Sequence, residues 1–150
     1  KSTDDVISAL IKALESDNIN VRSNAASALG ILGKSSDDVI SALIMALGDE
    51  QWNVRSRAAD ALGILGKSSD DVISALIKAL ADEQWNVRSY AAYALSRLGG
   101  KIHDVKPVMD TLVDMINDEK NKKAVDDIFS ALDSLSAYLP TNQQDNQEIG

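Results

Sequence analysis

Apolar positions along this chain recur with a helical period, and they come in pairs of stripes. From Asp37 onward, Val39, Ile40, Leu43, Ile44 and Leu47 fall at i, i+1, i+4, i+5 and i+8. That spacing gathers them on one side of a 3.6-residue helix and is incompatible with the alternation of a strand. This first stripe predicts a helix over 37–48, with Ser36 as the capping side chain and Asp37 and Asp38 facing the positive end of the helix dipole. The second stripe, Val54, Ala58, Ala59, Leu62 and Leu65, predicts a helix over 53–65 that Asn53 caps and Gly66 closes. The same two stripes predict helices over 4–15 and 20–32, over 70–81 and 86–98, and in weaker form over 107–117 and 122–138. No segment reads as a strand.

The pairs form a tandem repeat. Units 4–36, 37–69 and 70–102 follow one another without a gap at a spacing of 33 residues, the first two agreeing at 25 of 33 positions and the second and third at 24 of 33. A degenerate unit over 103–139 contains PVMDTLVDMINDEKNKKAVDDIFSALDSLSAYL, in which Leu132 and Leu135 take the places of Leu95 and Leu98 after a short insertion. A helical hairpin cannot cover all of its own apolar surface, so neighbouring hairpins must stack, and residues 1–139 read as one solenoid followed by a polar tail over 140–150. The first helices present Val, Ile and Leu to their neighbours, whereas the second present Ala25, Ala26, Ala58, Ala59, Ala91 and Ala92. Smaller contact residues allow closer axes, which predicts that the second helices line the concave side.

The pattern D-E-x-x-x-V-R-x-x-A-A-x-A-L-G-x-L-G, complete in the second unit, resembles HEAT-like repeats of the phycobilisome-lyase type and artificial helicoidal repeat proteins built from their consensus. The resemblance implies an all-α fold, a right-handed α-α superhelix of four helical hairpins. It also implies a ladder in which a loop Asp bonds to an Arg early in the second helix, assigning Asp49 and Asp82 with Arg22, Arg55 and Arg88. Ser16 stands where the first Asp is expected, leaving Asp17 as its substitute, and Val125 stands where the fourth Arg is expected. An Arg in the first turn of a helix faces the positive end of the dipole, so three of them at equivalent positions call independently for acceptors.

Composition narrows the chemistry. There is no Cys and one His, which removes disulfides, thiolate ligands and Cys nucleophiles and leaves no conventional metal site. No cofactor is expected. A net charge of -8 disfavours phosphate-rich surfaces, and no run of roughly 18 apolar residues exists to span a membrane, so neither nucleic acid nor membrane is expected as a partner. The start has no signal-peptide pattern, and a cytoplasmic location is expected. Gly66-Lys67-Ser68 has the ending of a phosphate-binding loop, but Ala61 stands where the upstream glycine is required and a helix precedes it. The pairs Asp4-Asp5, Asp37-Asp38 and Asp70-Asp71 lie in first turns, where helix-start electrostatics accounts for them. His103 sits in a loop without the partners of a triad, and Trp52 and Trp85 are placed to roof the gap between paired helices.

Comparison of the copies locates a candidate binding surface. The second helices differ at Asn24, Arg57 and Tyr90, at Ser27, Asp60 and Tyr93, and at Ile31, Ile64 and Arg97. These positions are three or four apart, so each set shares a face opposite the core stripe. Two Tyr and two Arg are residue types enriched in interface hot spots. The chain therefore reads as a non-catalytic scaffold for a protein or peptide partner, with Arg57, Asp60, Tyr90, Tyr93 and Arg97 at the centre; the alternative is an enzyme-associated module resembling bilin lyase or isomerase subunits. Lys1-Ser2-Thr3 aligns with the linker Lys34-Ser35-Ser36, and the first unit lacks the polar substitutions of a cap, which points to a longer solenoid or a homodimer. The fourth unit, with Asp126, Asp127, Asp133 and Ser134, reads as a polar terminating unit. Because nothing here resembles a preorganised metal site, excess chelator should leave the thermal melting temperature unchanged; a large drop would identify a site among the acid pairs.

Overall fold

The second helices set the architecture because their small residues bring them together. The computed structural model of the chain describes residues 2–140, so the tail beyond Pro140 lies outside the described residues. Among these there are eight α-helices and no strand: α1 (Thr3–Ala13), α2 (Ile19–Leu32), α3 (Asp37–Ala46), α4 (Trp52–Leu65), α5 (Asp70–Ala79), α6 (Trp85–Leu98), α7 (Lys106–Ile116) and α8 (Val125–Ser136). Each odd-numbered helix pairs with the next, and α2, α4, α6 and α8 stack side by side, giving an α solenoid of four hairpins. Short 3-10 segments at Gly99–Lys101 and Glu119–Ala124 flank α7.

Several helix ends differ from the sequence reading, each for a local reason. The first helices stop at Ala46 and Ala79, where the N–H groups of Leu47 and Leu80 are shared between two carbonyls in a tightened last turn. Asn53 does not cap α4. The Asp49 carboxylate accepts from the Gln51 N–H at 2.9 Å and turns the chain early, so the helix begins at Trp52. Ser36 does not cap α3 either, because its hydroxyl donates to Asp38, which also accepts from the Val39 N–H. The Ser36 bond, followed by that N–H, holds the Asp38 carboxyl below the usual carboxylate range. Gly33 and Gly66 do close α2 and α4, at φ of 71° and 73°, a conformation open to few residues besides glycine. The eighth helix starts late. Asn121 is buried and donates to the Met115 carbonyl, winding the lysine-rich segment before it into a 3-10 turn.

The core runs along the inside of the stack, with Val39, Leu43, Val54, Leu62, Leu76, Leu95 and Leu112 fully buried. Between second helices the packing is closer than a methyl group permits. A Cβ on Gly30 would lie 2.9 Å from Cα and Cβ of Ala61, and one on Gly63 would meet Ala94 at the same distance. The first helices have no such contact and stand apart, leaving open grooves of 660 Å³ between α3 and α5 and 670 Å³ between α5 and α7.

Each Arg of the ladder spans two units. Arg55 donates through Nε and Nη2 to the two carboxylate oxygens of Asp82, at 2.7 and 3.0 Å, and through Nη1 to the carbonyl of Asp49 in its own loop at 2.9 Å. Arg22 does the same with Asp49 (2.9 and 3.1 Å) and the Ser16 carbonyl, and the Asp49 bond raises its guanidinium further above its ordinary value. Arg88 donates to the carbonyls of Asp82 and Glu83 and, at 3.0 Å, to Asp127. Two expectations change here. Asp17 is not an acceptor of Arg22; the Ser16 hydroxyl takes over the local half of the Asp role by accepting from the Asn18 N–H. Asp127, grouped above with the outer polar residues, is the last acceptor; Asp118 keeps only the loop-turning bond from the Lys120 N–H, and Arg88 bonds to Asp127 in its place.

These pairs differ from surface ion pairs in their burial. The Arg22, Arg55 and Arg88 side chains are 15%, 17% and 10% exposed, so removing one leaves carboxylate and carbonyl acceptors out of full solvent. Arg55→Ala and Arg88→Ala should each destabilise by about 1–3 kcal/mol in urea unfolding, whereas Arg57→Ala, at an exposed position, should change stability by less than about 0.5 kcal/mol. Asp127→Ala should follow the first group and Asp126→Ala the second; equal losses within either pair would contradict the ladder.

Candidate functional site

α4 and α6, flanked on both sides by other second helices, are buried around most of their circumference, and this leaves each a narrow exposed ridge. On α4, Val54, Ser56, Ala58, Ala59, Ala61, Leu62 and Gly63 are all buried, while Arg57 and Ile64 are exposed and Asp60 is half-buried. On α2 the ridge consists of exposed Asn24 and Ile31 with half-buried Ser27; on α6 it consists of exposed Tyr90, Tyr93 and Arg97. Sequence reading identified the ridge but missed Ser56, Ala61, Ala94 and Gly63, which face the neighbouring second helices. Their signal was available in Gly30 and Gly63, at equivalent positions one period apart in a helix interior, where glycine costs about 1 kcal/mol unless a close approach requires it.

The ridge changes character along the stack. α2 contributes Asn24, Ser27 and Ile31, with no charge; α4 contributes Arg57 and Asp60, opposite in sign; α6 contributes two tyrosines and an arginine. The Arg97 guanidinium lies over the Tyr93 ring, 5.5 Å from its centroid, an i, i+4 cation–π pair that holds both side chains out of random rotamers.

Beside this aromatic end is a cleft the sequence reading did not anticipate. Ser96 occupies the position of Gly30 and Gly63, and α8 packs less closely on α6 than α6 does on α4. The space left, 240 Å³, is lined by Ser89, Tyr93, Ser96, Asp127, Ser130 and Ser134. Four hydroxyls of serine and the ladder carboxylate make it a hydrogen-bonding surface and not an apolar pocket.

The remaining candidates lie away from the ridge. Trp85, 65% exposed, stands largely in solvent at the loop edge and does not roof the gap between paired helices, whereas Trp52, 38% exposed, has most of its surface covered. His103 is exposed on the rim of the α5–α7 groove, near Asp70, Ser74 and Asp104, and no described hydroxyl or carboxylate is hydrogen-bonded to its imidazole as a nucleophile–base pair would require. Among the described residues no three His, Cys, Asp or Glu side chains converge as metal ligands, and no helix is long and apolar enough to cross a membrane.

Stacked hairpins, a tight second-helix face and an inter-unit Arg–Asp ladder define an α solenoid of tandem helical repeats. The chain belongs to the HEAT-repeat family, whose model matches residues 1–62 and 40–133. No curated protein sequence matches it. Among solved structures it is similar to the complex of CpcE and CpcF of phycocyanin lyase from Nostoc sp. PCC7120, with 25% identity, a TM-score of 0.67 and 87% of this chain covered. The chain spans about half of that protein's length, 53%. It also shares its fold with an engineered protein, at 19% identity and a TM-score of 0.57, covering 88% of this chain and 67% of the other.

The glycine contacts provide a sharp test of the packing beneath the ridge. Gly63→Ala should destabilise, because overpacking against Ala94 backbone costs about 1–3 kcal/mol and exceeds the roughly 1 kcal/mol gained in helix propensity. Ser96→Ala, which faces the cleft, should melt within a degree or two of the parent, a change of less than about 0.5 kcal/mol. Stabilisation by Gly63→Ala would mean that the second helices are further apart than described.

Proposed function

We propose that the chain is a non-catalytic interaction scaffold that binds a protein or peptide across the ridge formed by Asn24, Ser27, Arg57, Asp60, Tyr90, Tyr93 and Arg97. The observation that carries this reading is where the second helices differ: the three regular units repeat the same apolar stripe and ladder Arg, and apart from Ile19 in place of the tryptophan and Ser96 in place of the glycine their second helices diverge at ridge positions. The close Gly–Ala contacts of the second helices, set against the open grooves between the first, support a concave ridge side. Three ridges at roughly 8–9 Å spacing span about 17 Å, the length of about five extended residues. A partner segment crossing them would meet uncharged, then paired-charge, then aromatic surface, with hydrogen-bonding hydroxyls in the cleft beyond. The mixed signs of Arg57, Asp60 and Arg97 suit a polypeptide better than a phosphate backbone, which selects clustered cations.

A second reading follows from the likeness to the phycocyanin lyase complex at 25% identity. In it the chain is an enzyme-associated subunit that positions a bilin-carrying protein, with the chemistry supplied elsewhere. The two readings part in one experiment. Affinity capture from the source extract should retain a partner on the wild type and lose it on a Tyr90→Ala/Tyr93→Ala variant of unchanged melting temperature. Bilin attachment to an acceptor protein that depends on adding this chain would favour the second reading, and retention of the same partner by the double variant would remove the ridge from the first.

A further inference from the structure

Along the junction of α6 and α8 two polar stripes face one another. Ser89, Tyr93 and Ser96 fall at i, i+4 and i+7 on α6, and Asp127, Ser130 and Ser134 at i, i+3 and i+7 on α8, so each set shares one face of its helix. Together they line the 240 Å³ cleft. The regular junctions satisfy such groups internally. Ser56, the counterpart of Ser89 one period earlier, is buried and donates its hydroxyl to the Asn53 carbonyl at 3.1 Å, whereas Ser89 is exposed. Among the described residues the hydroxyls of Ser89, Ser96, Ser130 and Ser134 bond to no protein group. No buried side-chain polar atom there lacks a partner, so these hydroxyls are open to solvent and to a ligand.

The carboxylate in the cleft is only half used. Asp82 accepts from both Nε and Nη2 of Arg55, and its Oδ1 also accepts from the Gln84 N–H. Asp127 accepts one bond, from Arg88 Nε to Oδ2 at 3.0 Å, which leaves Oδ1 without a partner among the described residues. Its side chain is 24% exposed where that of Asp82 is 13%. The cleft thus offers one carboxylate oxygen beside four hydroxyls that can all accept, and no cation lines it. Its complement is a compact cation with several donors. A guanidinium fits poorly, since its fork engages both carboxylate oxygens and Arg88 already holds one; an anion meets Asp127 directly. A lysine ammonium needs a single oxygen for its charge and can give its other N–H groups to serine hydroxyls.

We propose that the α6–α8 cleft is the subsite for a lysine side chain of the polypeptide that crosses the ridge, with the ammonium on Asp127 Oδ1 and the neighbouring hydroxyls. Tyr93 borders the cleft and stands on the ridge, so the two surfaces are continuous, and the four-carbon stem of a lysine entering from the ridge runs along the phenol ring. That the lysine belongs to a polypeptide rests on the ridge reading; the preference of the cleft for an ammonium does not.

The probe is N-acetyl-lysine N-methylamide, titrated into the isotope-labelled full chain and followed by amide chemical shifts. It should give saturable shifts at Ser96, Ser130 and Ser134 with a dissociation constant of roughly 1–10 mM, as expected of so small a ligand. The norleucine, Nε-acetyl-lysine and arginine analogues should bind several-fold more weakly. Ser130→Leu, at an exposed position outside the ladder, fills the cleft and should abolish the lysine response at an unchanged melting temperature. Tyr90→Ala, on the ridge but outside the cleft, should leave the response intact. Equal responses to lysine and norleucine, lysine shifts at other carboxylates with none at the cleft, or a cleft response that survives Ser130→Leu would each overturn the proposal. None of these outcomes touches the ridge, which stands or falls on partner capture by the Tyr90→Ala/Tyr93→Ala variant.

Discussion

The close approach of the second helices at Gly30–Ala61 and Gly63–Ala94 is the constraint on which the rest of the structure depends. Helices that touch through backbone and methyl groups cannot slide without collision, so the contact fixes both separation and register. Only at that separation does a guanidinium in the first turn of one second helix reach the loop carboxylate ahead of the next. Asp49 and Asp82 then serve three purposes at once. Each turns its own loop through a backbone N–H, places negative charge at the positive end of the following helix, and accepts from the Arg of the unit before. The Arg, unfavourable beside that same helix end in isolation, becomes favourable because its acceptor is there.

The fourth unit shows what happens when the constraint is relaxed. With Ser96 where the glycine would be, α6 and α8 need not touch so closely, and a serine-lined cleft opens between them. The displaced loop carries Asp118 out of reach of Arg88, leaving it to the Lys120 N–H, and Asp127 from α8 becomes the acceptor. Two functions that one Asp performs elsewhere are divided between two residues. The chemical contrast between the smooth, close-packed ridge over α2 and α4 and the polar cleft beyond α6 follows from that single Gly-to-Ser difference and the longer connection behind it.

The fold was legible in the sequence because it is written three times, with the apolar stripes of Val39 to Leu47 and Val54 to Leu65 each too regular to be strands. The ridge was legible for the same reason: copies of one hairpin act as internal controls for one another. What could not be read was anything that depends on a distance between units. Asp49 lies six residues before Arg55 and one period before Asp82, and the sequence does not distinguish them as partners; in the structure Arg55 takes the carbonyl of the first and the carboxylate of the second. The sequence places Asp127 among the outer polar residues of the fourth unit, and only the packing of α8 on α6 makes it the acceptor of Arg88. Helix starts were misjudged by a residue because Asn53 has the composition of a cap, while the Asp49 carboxylate, four positions earlier, had already turned the chain.

Because Arg22 and Arg55 reach forward to the loop Asp of the following unit, the bonding pattern is unchanged when a unit that carries both the Asp and the Arg, such as 37–69, is copied or removed at the 33-residue period. Duplicating or deleting such a hairpin adds or removes one donor and one acceptor together and leaves no orphaned charge. Array length is thus free to vary over generations at little cost in stability, while the ridge residues of a newly copied unit are free to diverge. An insertion of any other length forfeits this immunity. The longer connection before α8 is such a case, and there Asp127 of α8 takes the place of the loop carboxylate as the acceptor of Arg88.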